Sequence, residues 1–175
     1  MSVTTLGSRS IPLRRRPAIA AAPAAATPAE PVRARAVRRS DLEQVIALDA
    51  TVTGVEKRAY WQRVFRRYGQ PGKEQRQFLV AVRGADVLGF LIGEVRDWEF
   101  GSPPCGWIFA IDVDPAARQS GTGTLLFETA CATFRRWGVA KLRTLLSREN
   151  TLILSFFRSQ GMMAGPLIPL EMDLP

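Results

Sequence analysis

Between positions 106 and 126 the chain reads GWIFAIDVDPAARQSGTGTLL, and this stretch limits the fold more than any other. Residues 106–113 are apolar, aromatic or small apart from Asp112, which is the composition of a buried strand. Asp114-Pro115 ends it, because proline removes a backbone donor and fixes φ. Leu125, Leu126, Ala130, Phe134 and Trp137 then recur at helical spacing, so a helix is predicted over 121–137 with Gly138 closing it. A strand that feeds a helix in this way returns as a parallel neighbour through a right-handed crossover. Residues 141–146, KLRTLL, are the strand that receives it.

The remaining elements follow from period and punctuation. VRARAV at 32–37 alternates small or apolar with charged residues, as a strand does. Ser40 is read as the N-cap of a helix to about residue 50, with Leu42, Val45 and Ile46 inward and Asp49 at its fraying end. A second helix is predicted over 55–68, with Tyr60, Trp61, Val64, Phe65 and Tyr68 as its apolar stripe. Strands at 77–83 and 87–95 turn at Gly84-Ala85-Asp86. Asn150 caps a helix over 151–160 that Gly161 stops, and 167–174 reads as a last strand interrupted by Pro169. The order β-α-α-β-β-β-α-β-α-β gives one mixed α/β (α+β) sheet, mostly antiparallel, with a single parallel strand–helix–strand crossover and helices on both faces.

Charge divides the chain in two. Arg9, Arg14, Arg15 and Arg16 against Glu30 give residues 1–31 a charge of +3, and Arg33, Arg35, Arg38 and Arg39 add +4. Sixteen basic and fifteen acidic side chains over 40–175 leave only +1 of the total of +8. The basicity is therefore N-terminal, and the body is nearly neutral. AIAAAPAAATPAEP at 18–31 has too little large apolar surface to offset its ordering entropy, so 1–31 is read as a disordered basic Ala/Pro-rich tail before a domain at 32–175. Such a tail aids solubility or meets an anionic partner. Nucleic acid binding by the chain is not the expectation, since no aromatic residue occurs before Tyr60 to stack on a base. No apolar run approaches the ~18 residues of a membrane span. Cys105 and Cys131 form no CxxC, and a reduced, cytoplasmic chain is the expectation.

Histidine is absent. That excludes Ser-His-Asp and Cys-His nucleophilic systems and the HExxH zinc site, and no metal is expected. Chemistry must rest on carboxylates, thiols, hydroxyls, backbone amides or a bound co-substrate.

Arg118-x-x-Gly121-x-Gly123 opens the helix that follows the apolar strand. A helix N-terminus offers unsatisfied N–H groups and a positive dipole end, and glycines let an anion approach them. No Gly-Lys-Ser/Thr follows, so this is not a Walker A loop. In this strand–turn–helix setting the segment resembles the acetyl-CoA loop of the GNAT superfamily of N-acetyltransferases. Asn150 ahead of a helix with Phe156-Phe157 and Gly161 is similar to the second cofactor-binding segment of that family. The likeness extends over about 32–175.

The resemblance implies acetyl-CoA as co-substrate and direct acetyl transfer to a primary amine. It implies that backbone N–H groups of Gln119, Gly121, Thr122, Gly123 and Thr124 bind the pyrophosphate, with Arg118 near a phosphate. It further implies that Ile111 and Val113 pair with the pantetheine arm, that Asn150 bonds that arm, and that the Val113 N–H polarises the reacting carbonyl. Two positions depart from the family. Phe157 stands where relatives often carry a tyrosine acid, so the general acid is missing and the ring packs on the co-substrate. Trp107 stands where some relatives carry a glutamate base; Glu94 on the neighbouring strand is the candidate base instead, and Asp112 should face away from Val113. Glu56, Tyr60 and Trp98 are the candidate acceptor contacts. A short C-terminal end leaves one wall to be supplied, and a homodimer is one way to supply it. The alternative reading is a catalytically weak acyl-CoA-binding regulatory or assembly module tethered by its basic tail.

Overall fold

A computed structural model describes residues 30–70 and 73–174. Five strands lie in chain order across one sheet: β1 (Arg33–Ala36), β2 (Arg76–Arg83), β3 (Asp86–Arg96), β4 (Cys105–Val113) and β5 (Leu142–Thr144). The first three junctions are antiparallel and β4 to β5 is parallel. This is the mixed sheet with one parallel crossover that the sequence pattern requires.

Helices α1 (Leu42–Thr53) and α2 (Arg58–Tyr68) cover one face. Val45, Ile46, Trp61 and Val64 pack there on Phe78, Val80, Phe90 and Ile92. Helix α3 (Thr122–Arg136) covers the other face, where Leu126, Ala130 and Phe134 meet Leu79, Ala81, Leu91 and Ile108, joined by Phe157 of α4 (Thr151–Ser159). Successive residues of β2 and β3 thus serve opposite cores, which is why both strands read as unbroken apolar runs. Each large side chain so buried is worth roughly 1.5–3 kcal/mol. A bulge in the β3–β4 ladder sets Ile92 opposite Ala110 but Gly93 opposite Ile108, leaving Phe109 without a partner.

Several boundaries differ from the sequence reading. Ser40 does not cap α1. Asp41 stands at that position, and its carboxylate accepts the Arg38 N–H at 2.7 Å and two bonds from the Arg35 guanidinium at 2.6 and 2.9 Å. The ion pair to β1 recruits the aspartate and delays the helix to Leu42. Helix α1 also runs four residues past Asp49, so that carboxylate lies inside it, 3% exposed. Residues 167–174 form no strand. Gly165 and Pro166 precede them and Pro169 interrupts them, and a proline cannot donate to a ladder. Asn150 does cap α4, its Oδ1 accepting the Ile153 N–H at 3.2 Å. The tail reading falls, through residue 29, outside the described residues.

Candidate functional site

Strand β4 outruns its parallel neighbour. Their pairing ends at Ile108 with Thr144, while β4 continues to Val113. Beyond Ile108 the β5-side edge of β4 is open. Alternate residues of an antiparallel strand direct their backbone groups to opposite sides. The Asp114 N–H bonds the Leu88 carbonyl at 2.9 Å, so the backbone groups of Val113 and Ile111 face the open edge. The Arg118 Nε donates to the Val113 carbonyl at 3.2 Å, which draws the loop against the strand end.

Two cavities meet at this edge. The smaller, about 350 Å³, is lined by Ile111, Val113, Arg118, Gln119, Gly121, Thr122, Gly123, Thr124, Asn150 and Phe156, among others. The larger, about 660 Å³, lies between the start of α2 and the split in the sheet, with Asp49, Lys57, Tyr60, Trp61, Phe109, Leu146 and Phe157 among its walls. Val52, Ile111, Asp112, Asn150 and Ile153 line both, so the two form one cleft. Both sizes are those of ligand sites.

The smaller cavity ends in an anion cradle. Gly121 has φ of +80° and opens α3 without a side-chain cap. The first-turn N–H groups of Thr122, Gly123 and Thr124 therefore have no intrahelical partner, and the helix dipole adds positive potential. Space at Gly123 is tight: a Cβ there would lie 3.1 Å from the Phe156 ring, which would have to shift by a few tenths of an ångström. The loop is held from within. The Ser120 hydroxyl donates to the Ala117 carbonyl at 2.7 Å, so the buried Thr122 hydroxyl, 2.9 Å away, donates to Ser120. These features fit a pyrophosphate, and every residue that the family resemblance assigns to that group lines the smaller cavity. Phe157 is the exception among the co-substrate residues. It is 3% exposed and borders the larger cavity, while Phe156 borders the smaller.

The larger cavity carries two acids. Asp49 accepts from Lys57 Nζ at 2.9 Å and from the Trp61 indole N–H at 2.8 Å. Asp112 projects to the same face, opposite in sense to Val113, and its carboxylate has no hydrogen bond or ion pair among the described residues. Burial, and next the charge of Asp49, push the Asp112 carboxyl up to about 6 from 3.8, with Arg118 and Lys57 opposing.

Of the acceptor-side residues expected from sequence, Tyr60 lines the larger cavity, with its ring edge-on to Trp61. Glu56 and Trp98 line neither cavity. Glu56 is exposed and paired with Arg58, and Trp98 is 68% exposed on a left-handed residue beyond β3. Glu94 also lines neither cavity. It accepts from the Tyr68 hydroxyl at 2.8 Å and from Arg96 Nε at 3.0 Å, with Arg76 and Arg67 at 3.6 and 3.8 Å. Tyr68 lies eight residues along α2 from Tyr60, roughly 12 Å of helix axis. Asp49 and Lys57 were not legible as site residues, although an aspartate within the apolar face of α1 was a signal.

The sheet thus splits at its one parallel edge, and the helix N-terminus and the acid-lined cavity meet at that split. The acetyltransferase (GNAT) family model matches residues 42–162, and the chain belongs to that family. Similar proteins include the mycothiol acetyltransferases of Kocuria rhizophila (30% identical over 98 residues, 54% of this chain and 32% of that one) and Catenulispora acidiphila (26% over 96 residues, 54% and 31%). The chain spans about a third of the length of these relatives. Among solved structures, the aminoglycoside acetyltransferase AAC(6')-Iy with a bisubstrate analogue superposes with a TM-score of 0.72 at 17% identity, covering 83% of this chain and 100% of that one. A transcriptional regulator from Bacillus halodurans gives 0.70 at 20% identity, covering 82% and 99%. These likenesses carry the fold. Among the described residues no helix is long and apolar enough to cross a membrane.

Proposed function

We propose that this chain transfers an acetyl group from acetyl-CoA directly to a primary amine. One observation carries the reading: a single cleft joins an N–H cradle suited to a pyrophosphate to an acid-lined cavity suited to a cation, with the open edge of β4 between them. The first turn of α3 and Gln119 hold the pyrophosphate, and Arg118 approaches a phosphate. Ile111 and Val113 extend their backbone groups to the amide-bearing arm as to an added strand. Asn150, whose side-chain oxygen is occupied by the cap, offers its amide nitrogen to the same arm. The Val113 N–H stabilises negative charge developing on the acyl oxygen. The thioester brings an acyl group that is already activated; the chain's task is to orient it and to handle protons.

An alkylamine with a pKa near ~10.4 arrives as an ammonium ion. A cavity bearing Asp49 and Asp112 against Lys57, its one cation among the described residues, suits that charge. The test is a screen of primary amines with acetyl-CoA, reading released thiol. Turnover of an amine is the expected result; binding of acetyl-CoA without turnover of any amine would refute it. Phe157 supports a second reading, in which turnover is slow. It places an apolar ring where the family often has a hydroxyl, as in an acyl-CoA-binding module that turns over weakly.

A further inference from the structure

We propose that Asp112, rather than Glu94, takes the proton from the acceptor amine, a role that rests on the acetyltransferase reading above. The argument is one of position and partnership. Only two acids line the cleft among the described residues, Asp49 and Asp112. Asp49 is committed to Lys57 and to the Trp61 indole. Asp112 lines both parts of the cleft and has no hydrogen bond or ion pair among the described residues. It is also the residue next to Val113, so a carboxylate on one face of β4 and a backbone N–H at its open edge lie one residue apart, about 3.8 Å between Cα atoms. An amine directed at a carbonyl held by Val113 therefore meets Asp112. Glu94, beyond Tyr68 and between arginines, has no route to that place without breaking its own bonds.

The charged and titratable groups facing Asp112 are Asp49 from α1, Lys57 from the α1–α2 connection, Tyr60 from α2 and Arg118 from the loop after β4. Asp49 raises its basicity, and Lys57 and Arg118 moderate it. With its carboxyl near 6, Asp112 is mostly ionised at neutral pH yet a better proton acceptor than an ordinary aspartate. In the reaction the ammonium gives one proton to the Asp112 carboxylate. The freed nitrogen lone pair forms the C–N bond, and the C–S bond breaks with its electron pair going to sulfur. The nitrogen loses a second proton to the departing thiolate, leaving an amide and a thiol. Asp112 then returns its proton to solvent.

The experiment uses the full chain, an amine found by the thiol-release screen, and Asp112→Asn. The unaltered chain is expected to show an acidic limb in kcat/KM for the amine with a midpoint near 6. In the variant kcat/KM falls by about 100-fold or more and that limb disappears. Asp112→Glu restores part of the rate. Two readouts are independent of turnover. The side-chain carboxyl carbon of Asp112, followed by NMR in the free chain, titrates near 6, and acetyl-CoA raises the melting temperature of the variant as much as that of the unaltered chain. A kcat/KM within threefold, a carboxyl titrating at the ordinary aspartate value, or a lost acetyl-CoA response would overturn the Asp112 role alone. Absence of amine turnover by the unaltered chain would overturn the acetyltransferase reading, and the role with it.

Discussion

Replacing Asp112 with asparagine should make the protein more stable while disabling it, and the pH at which it does so is fixed by the site. In the folded chain the carboxyl is raised to about 6 from 3.8, chiefly by burial and then by Asp49. Holding it ionised costs the folded state about 3 kcal/mol at ~1.36 kcal/mol per pKa unit. Asp112 is only half-buried, and water screens the cleft, so about 1–1.5 kcal/mol is the realistic figure. The sign follows from linkage. Between about pH 4 and pH 6 the folded state binds more protons than the unfolded one, so stability is full below about 4 and is lost as pH rises through 6. Asparagine carries no such penalty. In ligand-free thermal melts the variant should gain about 3–5 °C near pH 8 and nothing near pH 3.5. A variant less stable near pH 8, or a difference independent of pH, would refute the reasoning.

Three further outcomes follow from named contacts. Glu94→Gln removes the charge that Tyr68 and Arg96 share, and should cost roughly 1–3 kcal/mol in denaturant unfolding; the Tyr68 phenol, held up at about 12 by burial and by Glu94, should titrate lower by absorbance, and an unchanged phenol would contradict the network. Gly123→Glu puts a carboxylate at the first turn of α3 and crowds Phe156, and should abolish stabilisation by acetyl-CoA; a retained melting shift would move the anion site elsewhere. Phe157→Tyr places a hydroxyl on a ring that borders the larger cavity, and should raise kcat; an unchanged kcat would show that protonation of the leaving thiolate does not limit turnover.

What the sequence disclosed depended on range. The β2–β3 hairpin, α3 and its glycine loop are each written in contiguous residues, and each stands where periodicity set it. The residues from Gln119 to Thr124 that line the smaller cavity are contiguous as well, so the sequence could group them. Features that failed depend on distant partners. Asp41 displaced Ser40 as the start of α1 because Arg35 on β1 reaches it. Asp49 could not be assigned a role without Lys57 and the Trp61 indole, eight and twelve residues away. Glu94 is a carboxylate on β3 beside β4, but Tyr68, twenty-six residues earlier, and three arginines engage it, which the sequence could not show. The alternation of 167–174 was real as a pattern, yet β5 is three residues long and three flanking or internal Gly and Pro residues oppose a ladder.

The early end of the β4–β5 pairing also bears on colloidal behaviour. A strand edge with unpaired backbone groups is a template for pairing with another chain, which most proteins blunt with charge, proline or a covering segment. Among the described residues the β5-side edge of β4 past Ile108 is bare, and it is the edge along which the proposed function lays the co-substrate's arm. A bound arm that satisfies those groups would act as the missing neighbour strand. On the proposed function, co-substrate supply would then set resistance to self-association as well as occupancy, and the chain would be most exposed to aggregation when that co-substrate is scarce.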